Sequence, residues 1–261
     1  MARIVHLSDL HFGRDRPELS TPLLAAVNGL SPDLVAISGD FTQRARHHQF
    51  AEAARFKARI EAPVLAVPGN HDTPLDNLWV RFLRPFSRYR KAIDPDLEPD
   101  WSDNRVKVTG VNTVNRFSWQ RGRISGRTVR EVCHAFADAG ERLRIVVLHH
   151  PLEHGPEVDK RLMRGSAVAL DRLGGCGADI VLSGHLHSTI AAPFRAAPSL
   201  LFVQAGTGLS DRLRGERNTF NVVEGDRRAV AIETWAASDE LVFAPCAEAR
   251  FSCEGGAWVP A

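Results

Sequence analysis

The chain is poor in cysteine, and its few cysteines are not spaced as ligands. Cys133, Cys176, Cys246 and Cys253 form no Cys-x-x-Cys pair, which argues against a zinc knuckle or a disulfide framework and for reduced thiols in a cytosolic protein. No apolar run is long enough to span a bilayer, and the opening Met-Ala-Arg-Ile-Val-His-Leu-Ser-Asp has no hydrophobic signal region. The chain therefore reads as cytoplasmic. Net charge is nearly absent: 33 Lys and Arg face 31 Asp and Glu. That balance predicts no strong field toward nucleic acid or membrane. Lysine is scarce, with arginine supplying almost all the positive charge; genomic bias accounts for this, and guanidinium forks also suit phosphate oxygens. No repeat and no low-complexity linker divides the 261 residues, a length that can bury one large core.

What the chain does have is a series of short apolar runs, each followed by polar, ligand-type side chains. Residues 33–40 read Asp-Leu-Val-Ala-Ile-Ser-Gly-Asp. The run 34–37 predicts a strand buried on both faces, and Asp40 follows it, where α/β sheets collect ligands. Strands predicted over 3–8, 64–67, 144–148 and 179–182 end the same way. They lead into Asp9-Leu10-His11, Asn70-His71-Asp72, His149-His150-Pro151 and His185-Leu186-His187. Helices are expected over 20–30, with Pro22 in the first turn, then over 48–60, over 127–139 behind a Ser125 cap, and over 166–173. The βαβαβ order predicts parallel pairing. Residues 74–104 break the pattern, first with a helical stripe from Leu75 to Phe86 and then with an acidic, proline-bearing run. They read as an excursion over the sheet edge, a candidate lid. Four strands joined by short turns follow residue 189, which predicts antiparallel pairing. The expected fold is α/β, with a parallel-rich N-terminal half and an antiparallel C-terminal half. It forms one domain over 1–243, followed by an irregular tail over 244–261 with a mobile Gly255-Gly256.

Parallel strands bring their C-terminal ends to one rim, so these side chains are expected to converge. In an extended segment residues i and i+2 share a side, so Asp9 and His11 can reach one ion. The carboxylates of Asp9 and Asp40, the amide of Asn70 and the imidazoles of His11, His149, His185 and His187 are too many donors for one tetrahedral zinc. They suit two ions sharing a bridging carboxylate. Nitrogen and oxygen donors without thiolate fit manganese, iron or zinc. Two divalent ions against two carboxylates leave a positive site, suited to an anionic substrate and a hydroxide nucleophile. Ions roughly 3.5–4 Å apart can hold both oxygens of an in-line displacement at phosphorus, and the bridging water is acidified toward neutrality.

In order, Asp9-Leu-His11, Gly39-Asp40, Gly69-Asn70-His71-Asp72, His149 and Gly184-His185-Leu-His187 resemble the motif set of the calcineurin-like metallophosphoesterases. The spacings and the Leu-His149-His150-Pro151 form look most like class III cyclic-nucleotide phosphodiesterases and bacterial glycerophosphodiesterases. The resemblance implies a four-layer αββα sandwich and a phosphodiesterase acting on a small diester. One ion, manganese or iron by preference, would lie on Asp9, His11, Asp40 and His187. The other would lie on Asp40, Asn70, His149 and His185, with Asp40 bridging. His71 would face the leaving oxygen as proton donor or transition-state stabiliser, and Asp72 would orient it. Gln43 stands where purple acid phosphatases of this superfamily carry a tyrosine, and Tyr89 is the only tyrosine, which argues against a tyrosinate–iron centre. Alternatives are a phosphomonoesterase, a nucleotide or lipid-precursor pyrophosphatase, a nuclease, or a non-catalytic scaffold.

Several residues have plainer readings. His6 reads as a core histidine. His47, His48, His134, Arg44 and Arg46 read as solvated, and His154 as a surface residue. Trp79, Phe82 and Phe86 read as packing. His150 falls to a supporting or substrate-side place, and Asn112 and Asn115 are either turn residues or substrate contacts. No strong nucleic-acid binding is expected, and the tail and the Trp79–Phe86 helix are candidate surfaces for a homo-oligomer.

Overall fold

In the computed structural model, which describes residues 1–155, 158 and 161–261, two sheets pack face to face between two pairs of helices. In chain order the first sheet begins with β1 (Ala2–Leu7), β2 (Leu34–Ile37) and β3 (Val64–Ala66), which pair in parallel. The helices α1 (Pro17–Gly29) and α2 (His47–Lys57) join them. Alternation along the strands explains the continuous apolar runs. Ile4, Leu34, Ala36 and Leu65 point between the sheets, while Val5, Leu7, Val35 and Ile37 point under the helices. Both faces are dry, so these strands carry apolar side chains, apart from His6, which is bonded to Ser38 Oγ. α1 begins earlier than expected: Pro17 takes the first turn, and Pro22 lies inside the helix.

The segment after β3 holds α3 (Leu78–Leu83), α4 (Ser87–Ala92) and the edge strand β4 (Asp100–Ser102). Tyr89 anchors it, fully buried against Phe41 and Phe50. The predicted apolar stripe does not pack as one unit. The helix breaks after Leu83, leaving Trp79 and Phe82 exposed while Phe86 joins the core.

The second sheet contains β5 (Val106–Val111), β6 (Leu143–Leu148), β7 (Ile180–Ser183), β8 (Ile190–Pro193) and β9 (Leu201–Gln204), in the order β4-β5-β6-β7-β9-β8. Its outer face is covered by α5 (Gly126–Phe136), capped by Ser125 as expected, and α6 (Ser166–Gly175). The chain passes β7, lays down the edge strand β8 and turns back. Thus β9 pairs antiparallel with β8 but parallel with β7, a departure from purely antiparallel pairing. Cys133 and Cys176, at the α5–α6 contact, form a disulfide, which corrects the reading of four reduced thiols; Cys246 and Cys253 are free and exposed.

The first sheet is completed by the antiparallel strands β10 (Thr219–Gly225), β11 (Ala229–Ala237), β12 (Phe243–Glu254) and β13 (Ala257–Pro260). The expected irregular tail is therefore a hairpin. Gly255 and Gly256 have φ of 59° and 83°, the two left-handed positions that a tight hairpin turn requires. Phe251 and Trp258 are buried between the sheets. Trp258→Ala is expected to cost about 3–5 kcal/mol and to lower Tm by roughly 10 °C in a thermal melt. An unchanged Tm would mean that the hairpin is not part of the core.

Candidate metal centre

The ends of β1, β2, β3, β6 and β7 meet at one place, and the backbone bends sharply to bring them there. Asp9, His11, Asp40, His185 and His187 all have positive φ, between 50° and 73°. Such a conformation costs a non-glycine residue about 1–3 kcal/mol. Asp9 and His11 therefore do not share a side because the segment is extended, as expected from spacing. Two left-handed residues around the buried Leu10 turn both side chains inward. Backbone bonds lock the turn to its neighbour: Asp9 N donates to Gly39 O (3.1 Å) and His11 N to Asp40 O (3.0 Å).

Each carboxylate spends one oxygen on the fold. Asp40 Oδ1 accepts from His71 N (2.8 Å), and Asp9 Oδ2 accepts from Ser8 Oγ (2.6 Å) and His185 N (2.9 Å). The remaining oxygens face imidazoles. Asp9 Oδ1 lies 3.1 Å from His187 Nε2 and 3.4 Å from His11 Nε2. Asp40 Oδ2 lies 3.3 Å from His149 Nε2 and 3.7 Å from His11 Nε2. Asn70 Oδ1 is 3.2 Å from His149 Nε2, and His11 Nε2 is 3.1 Å from His187 Nε2. A glycine is required at Gly69 and Gly184, where a Cβ would strike Asp40 and Asp9.

The other ring nitrogens assign the tautomers. His149 Nδ1 sits 2.7 Å from Ser38 O, His187 Nδ1 3.0 Å from Arg212 O and His71 Nδ1 2.8 Å from Gln43 O. A carbonyl only accepts, so each Nδ1 carries the hydrogen, and Nε2 of a neutral ring is a lone pair. At the fixed rings lone pairs thus face one another: His149 Nε2 lies 3.3 Å from Asp40 Oδ2 and 3.2 Å from Asn70 Oδ1, and His187 Nε2 lies 3.1 Å from Asp9 Oδ1. Asp9 Oδ1 accepts no hydrogen bond at all. This arrangement is repulsive unless protons or cations lie between, and its mixed nitrogen and oxygen donors fit hard or borderline metal ions. The groups Asp9–His11–His187 and Asp9–Asp40–His149 each bring their ligand atoms within 4.8 Å of one another.

Ionisation follows the same geometry. Burial alone would raise the Asp9 and Asp40 carboxyls, yet the surrounding histidines hold both well below the usual carboxylate range. Burial would lower His149, but the Asp40 charge raises it to about 9. Without metal, a proton therefore takes the place a cation would hold. Burial lowers His71, with Asp40 opposing.

Seven of the expected ligands lie at this meeting point, and His71 stands edge-on to His11, with ring centroids 4.9 Å apart. His185 is there by its backbone bond to Asp9 and by its ring, 5.1 Å from that of His149. His150 stands beside them: its Nδ1 is 2.8 Å from Thr113 Oγ1, its ring centroid is 4.7 Å from that of His185, and ligand atoms of His149, His150 and His185 lie within 4.8 Å of one another. His150 lines a cavity of about 240 Å³ with His154 and His185, so His154 faces this cavity rather than open surface. His6 is a core histidine bonded to Ser38 Oγ, and Arg44 and Arg46 are exposed. Asn112 and Asn115 accept from Val114 N and Phe117 N, as turn residues do.

Asp72 does not orient His71. Its carboxylate accepts from Phe41 N, Thr42 N, Thr42 Oγ1 and Gly69 N, so it staples the Asp40 loop to the Gly69 loop. The ring of His71 is held by the Gln43 carbonyl. Carbonyls such as those of Ser38, Gln43 and Arg212 carry no residue-type signal, which is why the spacing did not reveal them. Burial and the Asp40 charge push Asp72 up to about 7. A raised carboxyl pKa stabilises the fold most below the unfolded value of about 3.9 and loses that contribution as pH climbs through the folded value. Asp72→Asn, which does not ionise, is expected to cost about 1–3 kcal/mol through its lost acceptors. In metal-free melts the gap in Tm to the parent should narrow between about pH 4 and 7. A gap that widens over that range would contradict the assignment.

Residues 2–189 match the family model described as calcineurin-like phosphoesterase. A glycerophosphodiester phosphodiesterase, GpdQ, from Enterobacter lignolyticus is 26% identical over 165 residues, which cover 57% of this chain and 56% of that protein. The match thus spans little more than half of that relative. A probable cyclic nucleotide phosphodiesterase from Synechococcus sp. is 27% identical over 209 residues, covering 70% of this chain and 72% of its own. Among solved structures, a purple acid phosphatase from yellow lupin (Lupinus luteus) superposes with a TM-score of 0.67 at 14% identity, over 96% of this chain and 53% of that one, a likeness of fold alone. With the family model spanning most of the chain and every motif of the strand ends in place, the chain belongs to the calcineurin-like phosphoesterase family.

Proposed function

We propose that the chain is a phosphodiesterase that hydrolyses a small diester of the cyclic-nucleotide or glycerophosphodiester type with two metal ions, manganese or an iron–manganese pair. The observation that carries the reading is Asp40 Oδ2, which faces His149 Nε2 on one side and His11 Nε2 on the other. An oxygen so flanked would be able to bridge two ions. Asp9, His11 and His187 would complete one ion's donors, and Asn70, His149 and His185 the other's. When bound, two such ions neutralise developing charge on phosphoryl oxygens and acidify water to supply a hydroxide nucleophile for in-line attack. The two named relatives, a glycerophosphodiester phosphodiesterase and a probable cyclic nucleotide phosphodiesterase, support the choice of reaction. Asp40→Ala and Asn70→Ala should abolish hydrolysis and metal retention together, the second measured by elemental analysis. A metal-free Asp40→Ala protein that still turns over bis-p-nitrophenyl phosphate at the parent rate would sink the reading. A panel of cyclic nucleotides, glycerophosphodiesters, phosphomonoesters and nucleoside diphosphate conjugates, run with manganese, identifies the ester class.

The chain's own residues set the rest of the chemistry. Gln43 O holds the Nδ1 hydrogen of His71, which leaves Nε2 as the atom that carries or releases a proton at the departing oxygen. An alkoxide needs that proton and a nitrophenolate does not. His71→Ala should therefore slow an alkyl diester by about 10²–10⁴-fold and bis-p-nitrophenyl phosphate far less. Because burial lowers the His71 pKa, the donor form is depleted as pH rises, so parent turnover of the alkyl diester should fall on that limb. Equal losses on both substrates would remove His71 from the role.

A further inference from the structure

Two segments beside the centre differ from the rest of the chain. Residues 77–91 and 112–123 carry eight Lys or Arg and no Asp or Glu. The near-zero net charge is an average that hides this block. The same segments expose Leu78, Trp79, Phe82, Leu83, Phe117 and Trp119, with Trp79 77% and Phe117 72% accessible. Asp76, paired with Arg88 at 3.3 Å, is the acidic exception at the border; an apolar patch rimmed mainly by cations marks an interaction surface.

The patch is braced. Arg81 is 3% exposed and donates to Thr73 Oγ1 (2.8 Å), Arg116 O (3.1 Å) and Ser118 O (2.8 Å). Arg116 Nη1 donates to Phe82 O (2.9 Å). The helix α3, the 112–123 loop and the residue after Asp72 are thereby tied together. At the loop's far end Gly122 lies so close to His150 that a Cβ would strike its ring. The exposed aromatics stand on α3, which follows the turn carrying His71, and on the loop that covers His150.

The ring faces select the partner. Phe117 stacks on Phe82 (centroids 5.8 Å apart), and Arg116 lies over the Phe117 ring at 4.9 Å. Arg81 lies over Trp119 at 5.9 Å. A nucleobase needs open ring faces; Phe82, Phe117 and Trp119 each have a face covered by a neighbour, and Leu78 and Leu83, exposed beside Trp79, offer hydrocarbon only. A two-fold contact with a second copy would set the cations against themselves. An anionic bilayer meets both demands, since its acyl boundary accepts Leu, Trp and Phe and its headgroups attract arginine. We propose that α3 and the 112–123 loop dock the protein on an anionic lipid surface, with the metal centre beside the contact. The proposal stands whichever phosphoester is cleaved.

The full chain is floated with vesicles of phosphatidylglycerol and phosphatidylcholine in equal parts and, separately, of phosphatidylcholine alone. About tenfold more protein should float with the anionic vesicles, less so at high salt, and brominated lipid should quench its tryptophan fluorescence. Trp79→Ser with Leu83→Ser should remove the binding and the quenching, and Arg84→Glu should weaken the anionic preference. Circular dichroism and melts unchanged from the parent show that these surface variants fold. Absence of vesicle binding at low salt overturns the proposal, as does equal binding by parent and Trp79→Ser/Leu83→Ser protein. A Trp79-dependent dimer in sedimentation velocity, or single-stranded oligonucleotide binding, found in place of vesicle binding also overturns it.

Discussion

Buried lone pairs facing buried lone pairs are the constraint on which the rest of this structure depends. Asp9 and Asp40 are almost wholly excluded from water, and four imidazoles crowd the same space. Uncompensated, such a cluster is costly. The chain compensates in two ways. One oxygen of each carboxylate is tied to backbone N–H groups, and each fixed ring gives its Nδ1 hydrogen to a carbonyl. What stays uncompensated is the set of inward atoms, and that set is where positive charge must reside.

The price of the arrangement appears in the backbone. Five non-glycine residues in left-handed conformations, at about 1–3 kcal/mol each, persist only where surrounding structure over-determines them. Here the dry inter-sheet layer holds the strands, and the Asp72 staple and the Asp9–Gly39 bond hold the loops. The centre is a rim built on the ends of parallel strands, which is what a site that must hold several donor groups in place requires.

Much of this was legible before any coordinates, for physical reasons. A strand buried on both faces must be a continuous apolar run, so residues 34–37 and 144–148 announced themselves, and the ligands follow those runs directly in sequence. Where legibility failed, the cause was non-local packing or the backbone. Cys133 and Cys176 meet only because α5 packs on α6. Gly255-Gly256 reads as slack in isolation and as a hairpin turn once Phe251 and Trp258 have a core to enter. Trp79 sits in a helical stripe but on a helix too short to bury it. The side-chain role given to Asp72 went instead to the carbonyl of Gln43, and a carbonyl is present at every residue.

Gln43 also bears on which chemistry the loop after Asp40 supports. The resemblance puts a metal-binding tyrosine at this position in purple acid phosphatases. Here the backbone of the same residue secures His71, while the only tyrosine, Tyr89, lies in the core between Phe41 and Phe50. No phenolate therefore stands among the donors, and the ring of His71 is fixed by the loop that follows Asp40. In this chain the loop's path is set by Asp72 accepting from Phe41 N and Thr42 N. Those bonds do not depend on the side chain at position 43, so that side chain is free to change the metal's ligands without moving the strand ends.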